Sequence, residues 1–363
     1  MIQKLKDYKI IPLNRISPSQ YSSAIGCPFK LVLANSFGYQ PLLPLNANAY
    51  FGSIVHTMIE LISKGVIVDE EIFSKNWTDL INQKERELKE KGLTNIIPLK
   101  YFVTDFALKK NQIKNILQQK KEKIRGSSKT SSTKFYSEKK LHNSNKSITG
   151  IADLIIENDT GATILDFKTG KIYSDSIDES GITEKVVKKE YEIQLKLYAH
   201  LYFLMTGKYP KALFIVSLSN NYIEVKFENR DCEAIYSEII TFLANTNLLI
   251  TRNDINSVAK PSEDNCKYCS YRPACNFYTN WLITNFEKVN DLFGTIEKVN
   301  QFSNETIGLQ IKTLNKQILI NGFTIEKRGD FESLIGKNVK FYNLKKTKQS
   351  LNATANNFTI VYE

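Results

Sequence analysis

Two runs of apolar and β-branched residues, Ile151 to Glu157 and Ala162 to Lys168, flank the turn formers Asn158-Asp159-Thr160-Gly161. That pattern predicts a β-hairpin. A turn centred between Asp159 and Thr160 sets Asp153 opposite Asp166, whereas a three-residue loop would break that pairing. Directly opposed side chains share a face with Cβ atoms about 5 Å apart. Two carboxylates that close repel each other and raise one pKa unless a cation lies between them. Lys168, two residues beyond Asp166, shares their face. Hard carboxylate oxygens suit Mg²⁺ or Mn²⁺, and a neighbouring ammonium can orient water or stabilise developing charge. A salt-bridged strand pair on a solvated face is the alternative.

Upstream, "RISPSQYSSAIGCPFK" offers Ser17 as an N-cap and Pro18 at the first position of a short helix running to Cys27, with a second helix after Pro28. Phe51, Val55, Met58, Ile59 and Ile62 recur at helical spacing up to the stop at Gly65; His56 lies in that helix and Glu60 follows one turn later. Residues 76–123 read as mainly helical, "RGSSKTSSTKF" as a mobile loop and "FYSEKKL" as a strand. "ITEKVVKKEYEIQLKLYAHLYFLMTG" predicts one long helix closing on Gly207, "ALFIVSL" with "YIEVKF" a second hairpin, and Asp231 to about Leu249 another helix. From about Phe286 the texture changes to short alternating segments, which predicts a separate small β-barrel or sandwich. The expected domains are therefore residues 1–285 and 286–363.

Hydrophobic residues make up 42% of the 363 and charged residues 24%, the balance of a globular protein. No apolar run approaches the roughly 18 residues of a membrane span, and the first residues lack a signal-peptide core, so a cytoplasmic protein is expected. The net charge of +11 is concentrated: twelve Lys or Arg stand against Glu122 and Glu138 between residues 109 and 146. Such a block attracts phosphates. The whole chain is rich in Lys, Asn and Ile, so charge alone leaves nucleic-acid contact and a solvated surface equally open. Glu138, beside Lys139 and Lys140, reads as an exposed residue, and Glu60 as a surface or supporting one. No GxxxxGK[ST] motif occurs, so helicase action must come from a partner.

Cys266, Cys269 and Cys275 in "CKYCSYRPAC" need a fourth ligand if they hold a metal. Cys27, at a helix end beside Pro28, is the better candidate, since Cys232 lies in an amphipathic helix as a core residue. With no export signal, soft-metal binding is favoured over disulfides, and the spacing leaves Zn²⁺ and an iron-sulfur cluster both open.

Five motifs then occur in one order: "GSIVHTMIE" around His56, "GIADLI" around Asp153, "ILDFKTGK" with Asp166 and Lys168, "QLKLY" with Gln194 and Tyr198, and Cys27 paired with the cysteine run. Together they resemble the RecB-like branch of the PD-(D/E)XK nuclease superfamily over about residues 15 to 280, with Ala152 where the superfamily name has proline. The resemblance implies an α/β fold, with a restriction-endonuclease-like mixed sheet flanked by helices; the small all-β segment after it is read as OB-like from its own short alternating strands. It implies a Mg²⁺- or Mn²⁺-dependent deoxyribonuclease, either an exonuclease or an end-processing enzyme of repair, recombination or phage defence. A catalytically silent DNA-binding partner of a helicase or defence complex is the alternative. By the resemblance, Asp153, Asp166, His56 and the backbone carbonyl of Phe167 ligate the metal, and Lys168 assists the attacking water. Gln194 and Tyr198 position the DNA strand, and Cys27, Cys266, Cys269 and Cys275 hold a [4Fe-4S] cluster. The expected partners are DNA, single-stranded or with free ends, and a helicase or defence protein in trans, without a membrane. The C-terminal segment lies outside the resemblance; its Phe341 and Tyr342 are expected to offer one base-stacking ring outward while alternation sends the other inward.

Overall fold

The computed structural model describes residues 2–126, 133–177, 183–346 and 352–363; the predicted Ser/Thr/Lys loop lies largely outside them. The chain forms two compact units. The first comprises Met1–Pro12, Gly26–Leu45 and Leu249–Glu363, and the second Leu13–Ile25 with Asn46–Leu248. The cysteine segment therefore groups with the C-terminal β region. Among the described residues no helix is long and apolar enough to cross a membrane.

The second unit is built on a five-stranded sheet in the order Lys134–His142, Thr149–Asn158, Gly161–Lys168, Ala212–Ser217, Tyr222–Glu224. The hairpin has the expected register, with Asn158 opposite Gly161 and Leu154 opposite Leu165. Gly161–Lys168 pairs in parallel with Ala212–Ser217. Parallel strands are covered on both faces, which is why "ATILDF" and "ALFIVS" read as nearly unbroken apolar runs. The connection between them includes the helix Lys189–Thr206, whose Leu195, Leu197, Tyr198 and Leu201 are buried and whose chain stops at Gly207 in a left-handed conformation. Ser17 caps Pro18–Ala24 in a reciprocal box with Gln20, and Asn46 caps Ala47–Ser63, the helix that carries His56. Cys27 is not the end of the first helix but the N-cap of the next, Pro28–Ser36.

One predicted element is corrected. The long helix begins at Lys189, because Thr183–Val187 is a strand paired with Tyr173–Ile177. Its Thr183, Val186 and Val187 are β-branched, so they favour the extended backbone and leave the helix to the unbranched residues that follow.

The first unit carries an eight-stranded sheet. The alternating segments after Phe286 supply most of its strands, while Ile2–Gln3 adds a parallel edge strand against Ile360–Tyr362, a pairing that no local pattern announces. The stacking role expected of Phe341 or Tyr342 fails: both are fully buried. Phe341 packs into the sheet's own core with Leu292, Val339 and Phe331, and Tyr342 packs on the opposite face against Tyr278, Leu282, Leu43 and Cys266. Alternation turns one ring each way, as expected, but both faces of this strand are covered. Phe341→Ala should therefore cost roughly 3–5 kcal/mol. Tyr342→Phe should be nearly neutral, since the buried hydroxyl has no hydrogen-bond partner. Urea unfolding of the two variants checks the contrast.

Candidate functional site

The ladder of the hairpin stops at Leu154 and Leu165, one residue short of the two aspartates. There a side chain takes over, because Asp153 Oδ2 accepts the Phe167 N–H at 2.6 Å. Asp153 Oδ1 lies 3.5 Å from His56 Nδ1, and the neighbouring carboxylate lifts the imidazole pKa above its ordinary value against the opposing effect of burial.

Asp166 is only 3% exposed. Its Oδ1 accepts from Gln194 Nε2 at 3.1 Å, and its Oδ2 is 2.7 Å from the Lys168 ammonium. That contact is a close ion pair. Burial pushes the Asp166 carboxyl up to about 6, with the Lys168 charge opposing and Asp153 adding to the rise. Gln194 Oε1 accepts from Lys168 Nζ at 2.9 Å, while its Nε2 also donates to Tyr198 Oη at 3.0 Å. Only one orientation of the amide can serve a carboxylate, an ammonium and a phenol together. The ring of Tyr191, one turn before Gln194, lies 4.6 Å from Lys168 Nζ.

Tyr198 is buried and reaches the site through Gln194, close to Gly150. A Cβ at Gly150 would stand 2.5 Å from the Tyr198 ring and 3.0 Å from Pro18. The glycine of "GIADLI" is thus what lets the helix approach the sheet here.

The structure also brings in Glu138, read above as an exposed residue. It is half-buried, and its carboxylate oxygen lies within 4.8 Å of ligand atoms on both His56 and Asp153. Ser137 opposes Leu154 and Lys139 opposes Ala152, so Glu138 stands across from Asp153. Its backbone is left-handed, with φ of +51°. Burial and the Asp153 charge raise its pKa. Three carboxylates with one partly buried lysine form an electronegative set suited to a cation. Glu60 pairs instead with Lys64 on its own helix.

In the first unit, Cys27, Cys266, Cys269 and Cys275 line one cavity together with Lys30, Lys260 and Arg272. Cys27 Sγ accepts from the Lys260 N–H and Cys275 Sγ from the Tyr278 N–H, each at 3.4 Å. Burial pushes the Cys266 thiol up to about 11 and the Cys275 thiol to about 12. Thiolates in such a cavity need a bound cation. Cys232 is a buried residue of the helix Asn229–Thr251, in the second unit.

The profile of the PD-(D/E)XK nuclease superfamily matches residues 15–276. The chain belongs to that superfamily. It is 36% identical over 76 residues to an ATP-dependent helicase/nuclease protein of Listeria monocytogenes, a match covering 21% of this chain and 6% of that protein. To its counterpart of the same name in Listeria innocua it is 26% identical over 153 residues, covering 41% of this chain and 12% of that protein. The matches thus span only 6–12% of the length of these curated relatives. A solved Eubacterium rectale protein, provisionally named an exonuclease, is 13% identical with a TM-score of 0.39, covering 74% of this chain and 88% of that one, a likeness too distant to carry an argument.

The raised Asp166 pKa has a signed consequence for this nuclease-superfamily fold. Between about pH 4 and pH 6 the folded chain holds a proton that the unfolded chain has released, so stability falls as pH rises through that window. The loss is on the order of 3 kcal/mol. In the presence of a chelator, Asp166→Asn should be more stable than the wild type at pH 7.5 and similar to it near pH 4, read from urea midpoints.

Proposed function

We propose that the chain is a divalent-metal-dependent deoxyribonuclease acting on DNA that is single-stranded or has free ends. On this reading it is an exonuclease or end-processing enzyme of repair, recombination or phage defence, working beside a helicase or defence protein in trans. The observation that carries the reading is the network of Asp153, Asp166, Lys168 and Gln194, in which a buried carboxylate stands beside a second carboxylate and against one ammonium. Asp153, Asp166, the Phe167 carbonyl and His56 are the groups that would hold Mg²⁺ or Mn²⁺, which when bound supplies Lewis-acid stabilisation of phosphate charge and lowers the pKa of water.

The chain's own residues do the rest. Lys168, held between Asp166 and Gln194, presents a fixed positive charge that orients the attacking water and meets charge on the phosphate. His56 fixes the direction of Asp153 from the side opposite the Phe167 N–H. Gln194, oriented by Tyr198, positions the strand and keeps Lys168 in place.

For the four cysteines we propose a [4Fe-4S] cluster. The four cysteines line one cavity of the first unit together with Lys30, Lys260 and Arg272, and four thiolates around one cavity are the ligand set of such a cluster.

Digestion of single- and double-stranded DNA with Mg²⁺ or Mn²⁺ tests the nuclease. Asp153→Ala, Asp166→Ala and Lys168→Ala should each lower the rate by about 100-fold or more, as loss of a catalytic group does, with DNA affinity nearly unchanged. Full turnover by Lys168→Ala would remove its assigned role. A wild type inert with both metals, yet still binding DNA, would favour the silent binding module instead.

A further inference from the structure

The cysteine loop contains a buried arginine whose contacts reach in two directions. Arg272, 5% exposed, donates through Nη1 to the carbonyls of Cys266 and Lys267, both at 2.8 Å, and of Cys269 at 3.1 Å. Its Nη2 donates to Asn343 Oδ1 at 3.0 Å, and its Nε stands 2.8 Å from Asp291 Oδ2. Asp291 is 3% exposed, accepts from the Tyr278 hydroxyl at 2.6 Å and from the Asn343 N–H at 2.9 Å, and immediately precedes the strand Leu292–Gln301. Tyr278 and Tyr342 set their rings 6.0 and 5.9 Å from the guanidinium.

An ion pair this deeply buried contributes little net stability, since well-packed apolar residues of the same volume often do as well. What an apolar replacement could not do is hold three carbonyls of one short loop at fixed directions. Nor could it place a charge in the wall of the cavity that the thiols line. The guanidinium is within electrostatic reach of Cys266 and Cys269 and favours their thiolate forms. Groups that orient ligands and set local charge tune a metal centre without touching the metal.

We propose that Arg272, counterbalanced by Asp291, is the positioning residue of the cysteine site. It fixes the loop bearing Cys266 and Cys269, and the Arg272–Asp291 pair sets the net charge felt by the group those thiolates hold. Because Asp291 and Asn343 belong to the β region, the same contacts tie the occupancy of the cysteine site to the folding of that sheet. The inference rests on the [4Fe-4S] reading of the four cysteines.

The sign of each perturbation follows from charge. A nearby positive group stabilises the reduced, more negative cluster and raises its potential, while a negative group lowers it. The test uses the full chain, purified without oxygen, with iron per chain, midpoint potential and iron release to a chelator as readouts. Arg272→Gln should lower the potential and release iron about 10-fold faster or more. Asp291→Asn should raise the potential. The double variant should return close to the wild-type potential while still releasing iron faster. Tyr342→Phe, which touches the guanidinium but changes no charge, should leave potential and release unchanged. Shifts of the same sign in the two charge variants, or none, overturn the proposal, because a mere brace would not produce opposite signs that cancel. If Arg272→Gln does not fold, Arg272→Lys takes its place: it keeps the charge but reaches fewer carbonyls, so a near-wild-type potential with faster release is expected, and wild-type release overturns the proposal. A wild type holding zinc, or no iron after reconstitution, defeats the cysteine reading and this inference with it. Iron-loaded wild type with insensitive variants defeats the inference alone.

Discussion

Burying the Asp166 carboxylate is the constraint to which the rest of the nuclease sheet answers. A carboxylate in a dry interior costs several kcal/mol even after relaxation, and one lysine does not fully offset that cost. The raised pKa is the sign of the deficit. The surrounding residues serve to keep the ammonium in place: Gln194 bridges the two charges, Tyr198 sets the amide, and Gly150 leaves room for the Tyr198 ring. Asp153 and Glu138 add negative charge close by, and His56 is the member of that group that becomes positive on gaining a proton. Such a site is more stable with a cation than without one.

The cysteine cavity follows the same logic with softer ligands. Its thiols are pushed towards the neutral form by burial, and Lys30 and Arg272 in its walls work the other way. Two of the sulfurs also accept backbone N–H groups. In both units a buried anionic donor is held by a nearby cation and by fixed amides, and the chemistry of the donor decides which metal fits: hard oxygen in one, sulfur in the other.

Much of this is legible in the sequence because it rests on local rules. Turn formers around Asp159 and Thr160 determine the hairpin register, and with it the proximity of Asp153, Asp166 and Lys168. Ser17 and Gly207 punctuate their helices as expected. The parts that stay hidden depend on what lies across the fold. Glu138 looks like a solvated residue ahead of two lysines until the strand register sets it opposite Asp153, and its left-handed backbone has no glycine to announce it. Thr183–Val187 merges into a helical pattern because its strand partner, Tyr173–Ile177, is separated from it in sequence. One ring of Phe341 and Tyr342 reads as outward-facing because alternation says which way a ring points but not whether a second layer covers that side. Arg272 and Asp291 meet only when the cysteine loop folds against the β region.

The most direct test of the central claim is the position of a manganese ion in crystals of the wild-type chain grown with Mn²⁺, located by its anomalous scattering. The expected peak is bonded at about 2 Å to carboxylate oxygens of both Asp153 and Asp166, to His56 and to the Phe167 carbonyl, with Lys168 still held by Gln194. Manganese held only by His56, Glu138 and Asp153, with Asp166 still paired to Lys168, would contradict it, as would crystals with no ion at these residues.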